Sequence, residues 1–393
     1  MSEQAVYIVA ARRTPIGAFQ GVLSAVTAPQ LGAAAAAAAI ADSGLQPADM
    51  QEVNFGCVLP AGLGQAPARQ AALAAGVPPG TPATTINKMC GSGLKAIMMG
   101  ADQIRAGDVD IVLAGGLESM TNAPYLLPKA RSGYRMGHGE IIDHMFYDGL
   151  QSPWDGQLMG TFAEATSEKY GFTRAAQDSF AAESVRRALA AVESGAFARE
   201  VTPVKVKSRK GETLVERDET PFTCDIQKIS TLKPAFKKDG TVTAASSSSI
   251  SDGAAALVLV RETTAKSRGL KPLARIVAYG SFAQEPAWFT TAPVGAIRKV
   301  LEKTGWRAAE VDLYEINEAF ACVTMAAMKD VGIDHAKVNV NGGACALGHP
   351  IGATGARITT TLVHALKARG LKRGIASLCI GGGEATAIAI EAL

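Results

Sequence analysis

"TTINKMCGSGLKAI", residues Thr84–Ile97, sets the terms for the whole chain. A β-favouring run, Ala83 to Asn87, leads towards Cys90. Gly91, Ser92 and Gly93 follow at once, and Leu94 to Met99 read as the start of a helix. The stretch is a strand, a sharp turn and a helix, with a thiol at the bend. Such strand-turn-helix text is the repeating unit of an α/β fold. At the first turn of a helix, unpaired N–H groups and the dipole favour a thiolate. The flanking glycines permit a tight turn and close approach of a substrate. The residue's own N–H is also free to face a developing oxyanion.

The alternation continues on either side. Strands are predicted at Val6 to Ala10, Glu52 to Val58, Thr84 to Asn87 and Ile111 to Gly115. Helices are predicted between them at Pro29 to Ser43, Ala66 to Ala75 and Ser92 to Ala106. Residues 270–393 alternate again, with strands at Leu273 to Tyr279, Leu313 to Ile316, Ile375 to Ile380 and Thr386 to Glu391. Their helices fall at Val294 to Thr304, Ala319 to Val331 and Gly355 to Lys367. This pattern predicts a parallel α/β architecture. "IVLAGGLESMT" (111–121) and "SLCIGGGEATA" (377–387) share an apolar strand, paired glycines, Glu and a small residue, which points to a duplicated α/β unit. The middle of the chain differs. It holds irregular text such as "TNAPYLLPKARSGYRMGHGE", an amphipathic helix from Arg174 to Ser194 and a basic, β-like stretch. It reads as an insertion, 121–244, between a first half (1–120 plus 245–270) and a second half (271–393). "TAASSSSISDGAAALVLV" (Thr243 to Val260) brings the chain back to the core through a tight, backbone-exposing serine turn.

With 393 residues, 48% hydrophobic and 19% charged, the chain can bury an ample core. A net charge of +3 is too small to imply nucleic-acid binding. Lys205, Lys207, Arg209 and Lys210, with Lys237 and Lys238, form only modest basic clusters, suited to solvated loops or to a small polyanionic ligand. No apolar run approaches the ~20 residues of a membrane span; "LGAAAAAAAIA" (Leu31 to Ala41) is a short alanine helix. The six cysteines have no C-x-x-C spacing and no histidine at zinc-site distance, so a structural metal is not expected. A cytoplasmic location with reduced thiols is the expectation.

Three more positions carry candidate chemistry. Among five histidines, only His349 ("NGGACALGHPIGATGAR") lies in glycine- and proline-rich text that opens a helix, which suits a base. Cys379 ends a buried strand directly before Gly381, Gly382 and Gly383, whose N–H groups can form an anion nest. Asn317 and Glu318 ("YEINEAFA") stand at a strand end, where a helix cap is the plain reading. Neither a dinucleotide fingerprint nor a P-loop is present.

Together "NKMCGSGLKA", "SISDGAAA", "NEAFA", "NGGACALGHPIGATGAR" and "CIGGGEATA" resemble the thiolase family, in order and spacing, along nearly the whole chain. The resemblance implies duplicated α/β halves forming a layered αβαβα core, with a loop domain inserted in the first half. It implies that Cys90 is the acyl-accepting nucleophile and His349 the base that activates it. Cys379 would be the acid/base at the α-carbon. Asn317 would hold a water that forms one oxyanion hole with His349, and the N–H groups of Cys90 and Gly381 the other. Ser248 matches a pantetheine contact and Phe320 an acyl-pocket wall, with Met159 and Ala319 beside them. Asn87 and Lys95 in the cysteine motif look most like the branch that condenses two acetyl-CoA to acetoacetyl-CoA and CoA. The implied protein uses coenzyme A thioesters as substrates with no separate cofactor, binds neither membrane nor nucleic acid, and forms a homotetramer. The chain departs from the short-chain pattern at Leu158, where a histidine is common, at Pro221 and Phe222, where an arginine is frequent, and at Ser246, where asparagine is common. Alternatives are a 3-ketoacyl-CoA thiolase for longer chains, a decarboxylating condensing enzyme and a non-catalytic acyl-CoA binder.

Overall fold

The structure is a computed structural model and describes residues 5–208 and 211–393; Arg209 and Lys210 of the basic cluster lie outside these. The first half contributes strands β1 (Val6–Arg13), β2 (Glu52–Gly56), β3 (Ala83–Ile86), β4 (Ile111–Ser119) and β5 (Ser251–Arg261). The second contributes β6 (Ala274–Ala283), β7 (Leu313–Ile316), β8 (Arg373–Ile380) and β9 (Glu384–Ala392). They run in the order β7-β8-β9-β6-β1-β5-β4-β2-β3, and a two-residue strand, Gly17–Ala18, also pairs with β5. The halves join where Val6–Ile8 of β1 pairs with Ala274–Ile276 of β6.

Sequence-based alternation predicts parallel strands, but the sheet is mixed. The pairs β2–β3, β2–β4 and β7–β8 are parallel. The pairs β1–β5, β1–β6, β4–β5, β6–β9 and β8–β9 are antiparallel. The reason lies in the connections. β8 and β9 are joined by the tight turn Gly381–Gly383, which forces a hairpin. The matching strands of the first half, β4 and β5, pair in the same antiparallel sense although residues 120–250 lie between them. Both halves therefore share one topology. Even the edge position of β3 has a counterpart in the second half, a parallel bridge between Tyr314 and Val338.

The helices form three layers around the strands. Helix α1 (Ala28–Ser43) is started by a capping box, in which Thr27 N–H donates to Gln30 Oε1 at 2.9 Å. Its alanines and leucine pack with α2 (Pro67–Ala74) on the outer face of the first half, against Val53, Phe55, Leu113 and Leu117. The alternate residues Val112 and Ala114 face the other way, as strand geometry requires. They meet α3 (Ser92–Ala106), which shares a central layer with a later helix, Thr354–Arg369. Outside the second half lie Ala292–Thr304 and Ala321–Val331, packed on Tyr314, Ile375 and Ala387. The result is a layered αβαβα core. The central helices touch backbone to backbone. A Cβ on Gly355 would lie 2.2 Å from the Leu94 nitrogen, and one on Gly93 2.9 Å from the Ala356 nitrogen.

The insertion contains α4 (Met159–Tyr170), α5 (Arg174–Glu193) and a hairpin, Val204–Ser208 with Gly211–Val215. Its helices α4 and α5 pack against Ala321–Val331, and Val204 and Val206 of the hairpin join the outer core of the first half. The serine stretch is a tight turn stapled to the second half. Ser248 N–H donates to Ala319 O (3.0 Å), and Ala321 N–H donates to Ser246 O (2.8 Å).

Candidate active site

Cys90 sits on a strained bend. Met89, the residue before it, takes a left-handed φ of +48°. Ser92 secures the bend twice: its Oγ accepts the Lys88 N–H (2.8 Å) and donates to Met89 O (2.6 Å). Gly91 lets the bend sit close to the neighbouring strand: a Cβ there would lie 2.3 Å from Ile380 Cδ1 and would displace that side chain. The elbow therefore docks against the end of β8, the strand that carries Cys379. A Lys88–Glu384 ion pair ties the two segments at the surface. Burial pushes the Cys90 thiol up to about 11, although the N–H groups of Gly381 and of Cys90 itself pull the other way by bonding to the sulfur. The resting thiol is thus neutral, with two backbone donors already beside it.

His349 is brought in by the loop before helix α6 (Thr354–Arg369). Its N–H donates to Ser249 O (3.2 Å), which docks the loop on the serine turn. Its Nδ1 lies 2.6 Å from Thr354 Oγ1, and that hydroxyl donates its own proton to Pro350 O (2.9 Å). The hydroxyl must therefore accept from Nδ1–H. This fixes the tautomer and leaves Nε2, which has no partner among the described residues, as the basic atom. Burial, with the Arg357 charge second, lowers the His349 pKa to about 3, so the imidazole is neutral across the physiological range. The other histidines are otherwise placed. His144 Nδ1 lies 2.5 Å from Asp148, His335 stacks on Phe180, His364 Nε2 lies 2.8 Å from Ala11 O, and His138 is exposed.

Cys90, His349, Cys379 and Gly381 line one cavity of about 380 Å³. Ser248, Ala319, Phe320 and Met159 line it too. Cys379 is 1% exposed and packs among Phe289, Phe320 and Val323. Burial, then the neighbouring Cys90, raises its pKa well above the ordinary thiol value, so it is held as an acid. Phe236 and Phe320 meet edge to face, their ring centroids 5.9 Å apart, on the apolar wall. Leu158 stands on the same wall.

Asn317 stands back from this lining. It is buried, and neither side-chain polar atom has a partner among the described residues, so it does not cap a helix. A buried amide in that state calls for water. Glu318 serves the fold: it accepts from Ser184 Oγ (2.7 Å), Asn339 Nδ2 (2.8 Å) and Cys345 N–H (3.0 Å).

No pattern in the residues points to Thr354, which orients His349, or to the lining side chains Met120, Phe236 and Phe289. Glu118 is visible only as part of the repeat. It accepts from Val58 N–H (2.9 Å), Leu59 N–H (3.1 Å) and Gly352 N–H (2.8 Å), and so ties the His349 loop to the first half. Burial still pushes its carboxyl up to about 7.

Residues 6–263 match the family described as "Thiolase, N-terminal domain", and residues 270–392 match "Thiolase, C-terminal domain". The chain belongs to the thiolase family. It is 50% identical over 389 residues to an acetyl-CoA acetyltransferase of Pseudomonas aeruginosa, covering 98% of this chain and 99% of that one. It is also 50% identical over 391 residues to acetyl-CoA acetyltransferase 2 of Arabidopsis thaliana, covering 99% and 97%. Among solved structures, the acetyl-CoA acetyltransferase of Bacillus anthracis superposes with a TM-score of 0.97 at 45% identity, covering 100% of this chain and 99% of that chain. The thiolase fold thus holds over the full length, insertion included. Among the described residues, no helix is long and apolar enough to cross a membrane.

Proposed function

We propose that the chain catalyses the reversible Claisen condensation of two acetyl-CoA to acetoacetyl-CoA and CoA, by ping-pong transfer through an acetyl-Cys90 intermediate. The observation that carries this reading is the meeting of two thiols and a neutral imidazole on one apolar cavity. As the thioester carbonyl is attacked, the Cys90 proton passes to His349 Nε2. The oxyanion is met by the N–H groups of Cys90 and Gly381. The departing CoA sulfur takes its proton from Cys379. The Cys379 thiolate then removes a proton from the α-carbon of the second acetyl-CoA. The enolate oxygen is met by protonated His349 and by water on Asn317. Attack of the enolate carbon on acetyl-Cys90 releases the Cys90 sulfur, which recovers its proton from His349. Each half-reaction places charge on one oxygen, and losing one donor at such a site costs about 3 kcal/mol of barrier.

The acetyl-CoA acetyltransferase relatives support the short-chain choice. A second cavity of about 380 Å³ adjoins the first, shares Gly149, Met159 and Gly381 with it, and includes Trp154. It favours, as a second reading, thiolysis of longer 3-ketoacyl-CoA chains. Assembly as a cytoplasmic homotetramer belongs to the same proposal. Exposed Tyr125, Leu127, Met136 and Ile141 in the insertion support self-association.

The test is incubation with acetyl-CoA, acid quench and peptide mapping. An acetyl group on the Cys90 peptide, absent from Cys90→Ser, is expected. Absence of any acetylated peptide, or a specificity constant that rises with ketoacyl chain length, overturns the reading.

A further inference from the structure

Two arginines are buried near the centre of the molecule, and they are held in opposite ways. Arg13 is fully engaged: Nε donates to Glu200 (2.6 Å), Nη1 and Nη2 donate to Asp218 (2.7 and 2.9 Å), and Nη1 also donates to Thr14 O (3.2 Å). Arg357, 2% exposed, has no hydrogen-bond partner on Nε, Nη1 or Nη2 among the described residues. Its ionic partner, Glu315 Oε2, is 3.6 Å away. An unsolvated guanidinium of this kind costs several kcal/mol, so its donors call for water.

The surroundings are unsatisfied in the same manner. Glu315 Oε1 and Glu200 Oε2 are buried without partners among the described residues, and so are both polar atoms of Asn317. Glu315 lies in β7, and Asn317 stands one residue past its end, where the Asn317 N–H still donates to Ser377 O (3.0 Å) of β8. The extended pairing runs on through Asn317, so the alternate side chains of Glu315 and Asn317 leave on one side. Arg357 lies one helical turn from Thr354, the residue that orients His349. Arg357 thus stands beside Glu315, two residues before Asn317 in the chain, and one turn from the anchor of the catalytic base.

We propose that Arg357 is a positioning residue for the carbon–carbon bond-forming step: buried water held on its guanidinium fixes the Asn317 amide, and with it the oxyanion donor that Asn317 presents. This rests on the acyl-transfer reading above. The Arg357 charge also acts in the same direction as burial in keeping His349 neutral. A group that served only to hold the fold would already be satisfied, as Arg13 is.

The test pairs Arg357→Met with Arg357→Lys. Arg357→Met is expected to form acetyl-Cys90 at the wild-type extent. Its condensation kcat is expected to fall about 100-fold, with the KM for acetyl-CoA within about threefold. Arg357→Lys, which keeps the charge and its donors, is expected to recover at least about tenfold of that loss. A wild-type kcat in Arg357→Met overturns the proposal, as does an equal loss of acetylation and condensation. Should Arg357→Met not fold, a high-resolution crystal structure of the wild-type protein decides. One water cluster touching both the Arg357 nitrogens and the Asn317 amide supports the proposal. A direct guanidinium–Glu315 fork or a dry site overturns it. If wild-type protein does not acetylate Cys90, the acyl-transfer reading fails on its own account, and the wild-type structure still decides whether water joins the two residues.

Discussion

The two halves share one frame and differ in one connection. In each, a helix of the central layer begins at the cavity: α3 directly after Cys90, α6 shortly after His349. In each, the last two strands are antiparallel neighbours. In the second half three glycines join those strands, and their bare backbone reaches the Cys90 sulfur. In the first half residues 120–250 make the join and wall the cavity with Leu158, Met159 and Phe236. The difference separates two tasks. The repeated frame brings Cys90, His349 and Cys379 onto one cavity, and the unequal connection supplies the wall beside them. Substitutions in the frame should therefore act on kcat, and substitutions in the long connection on KM.

The largest effect is expected at Cys90. Cys90→Ala should lower acetyl transfer by at least about 10³-fold, and the acetylated peptide should vanish. Activity within about tenfold of wild type would break the comparison outright. Cys379→Ala should still trap acetyl on Cys90 while condensation falls about 10²- to 10⁴-fold, as for loss of a general acid–base group. A paired assay of single-turnover acetylation and steady-state condensation separates the two thiols. At the glycine turn, Gly381→Pro removes the N–H and should cost about 10² in kcat. Gly381→Ala should cost far less, because its Cβ would meet only Met159 Sδ at 3.5 Å. Equal losses in the two would show that the turn contributes shape and not a donor.

The pH profile sharpens the same point with a smaller effect. Burial and Arg357 hold His349 down to about 3. Its imidazole therefore stays neutral as pH falls through 6.5, and kcat/KM should show no acid limb there. Stability follows the opposite course. Between 6.5 and about 3 the unfolded chain binds a proton that the folded chain does not. This contribution is fully present above pH 6.5 and is lost as pH falls, by up to about 1.4 kcal/mol per unit. The acid slope of Tm should be shallower in His349→Asn. The smallest effect is expected at Leu158, on the long connection. Leu158→His adds one hydrogen-bonding group to the wall and should lower the KM for acetyl-CoA by about threefold, with kcat unchanged. A change in kcat alone would contradict the division of tasks.

Much of this is legible in the residues themselves. Cys90 stands out because a thiol among glycines at a strand-to-helix bend suits a nucleophile better than a core filler. His349 and the serine turn stand out through glycine and serine text that no ordinary helix or strand uses. Strand direction is where alternation misleads, although Gly381–Gly383 between two short apolar runs is itself a hairpin signal. Asn317 looks like a cap because a strand-end amide usually is one, and only burial shows that its donors go unused. Thr354 and Arg357 are silent for a related reason. They lie on a helix buried on nearly every side, so hydrophobic periodicity singles out no face.

The close approach at Gly93 and Gly355 leaves no room for even a methyl group between helices drawn from opposite ends of the polypeptide. Cut between residues 263 and 270, the chain would yield two pieces, each lacking a partner for its innermost helix. Neither piece could hide its oily flank from solvent without the other. The alikeness of the two halves ends at this seam, where each supplies the other's missing inner surface.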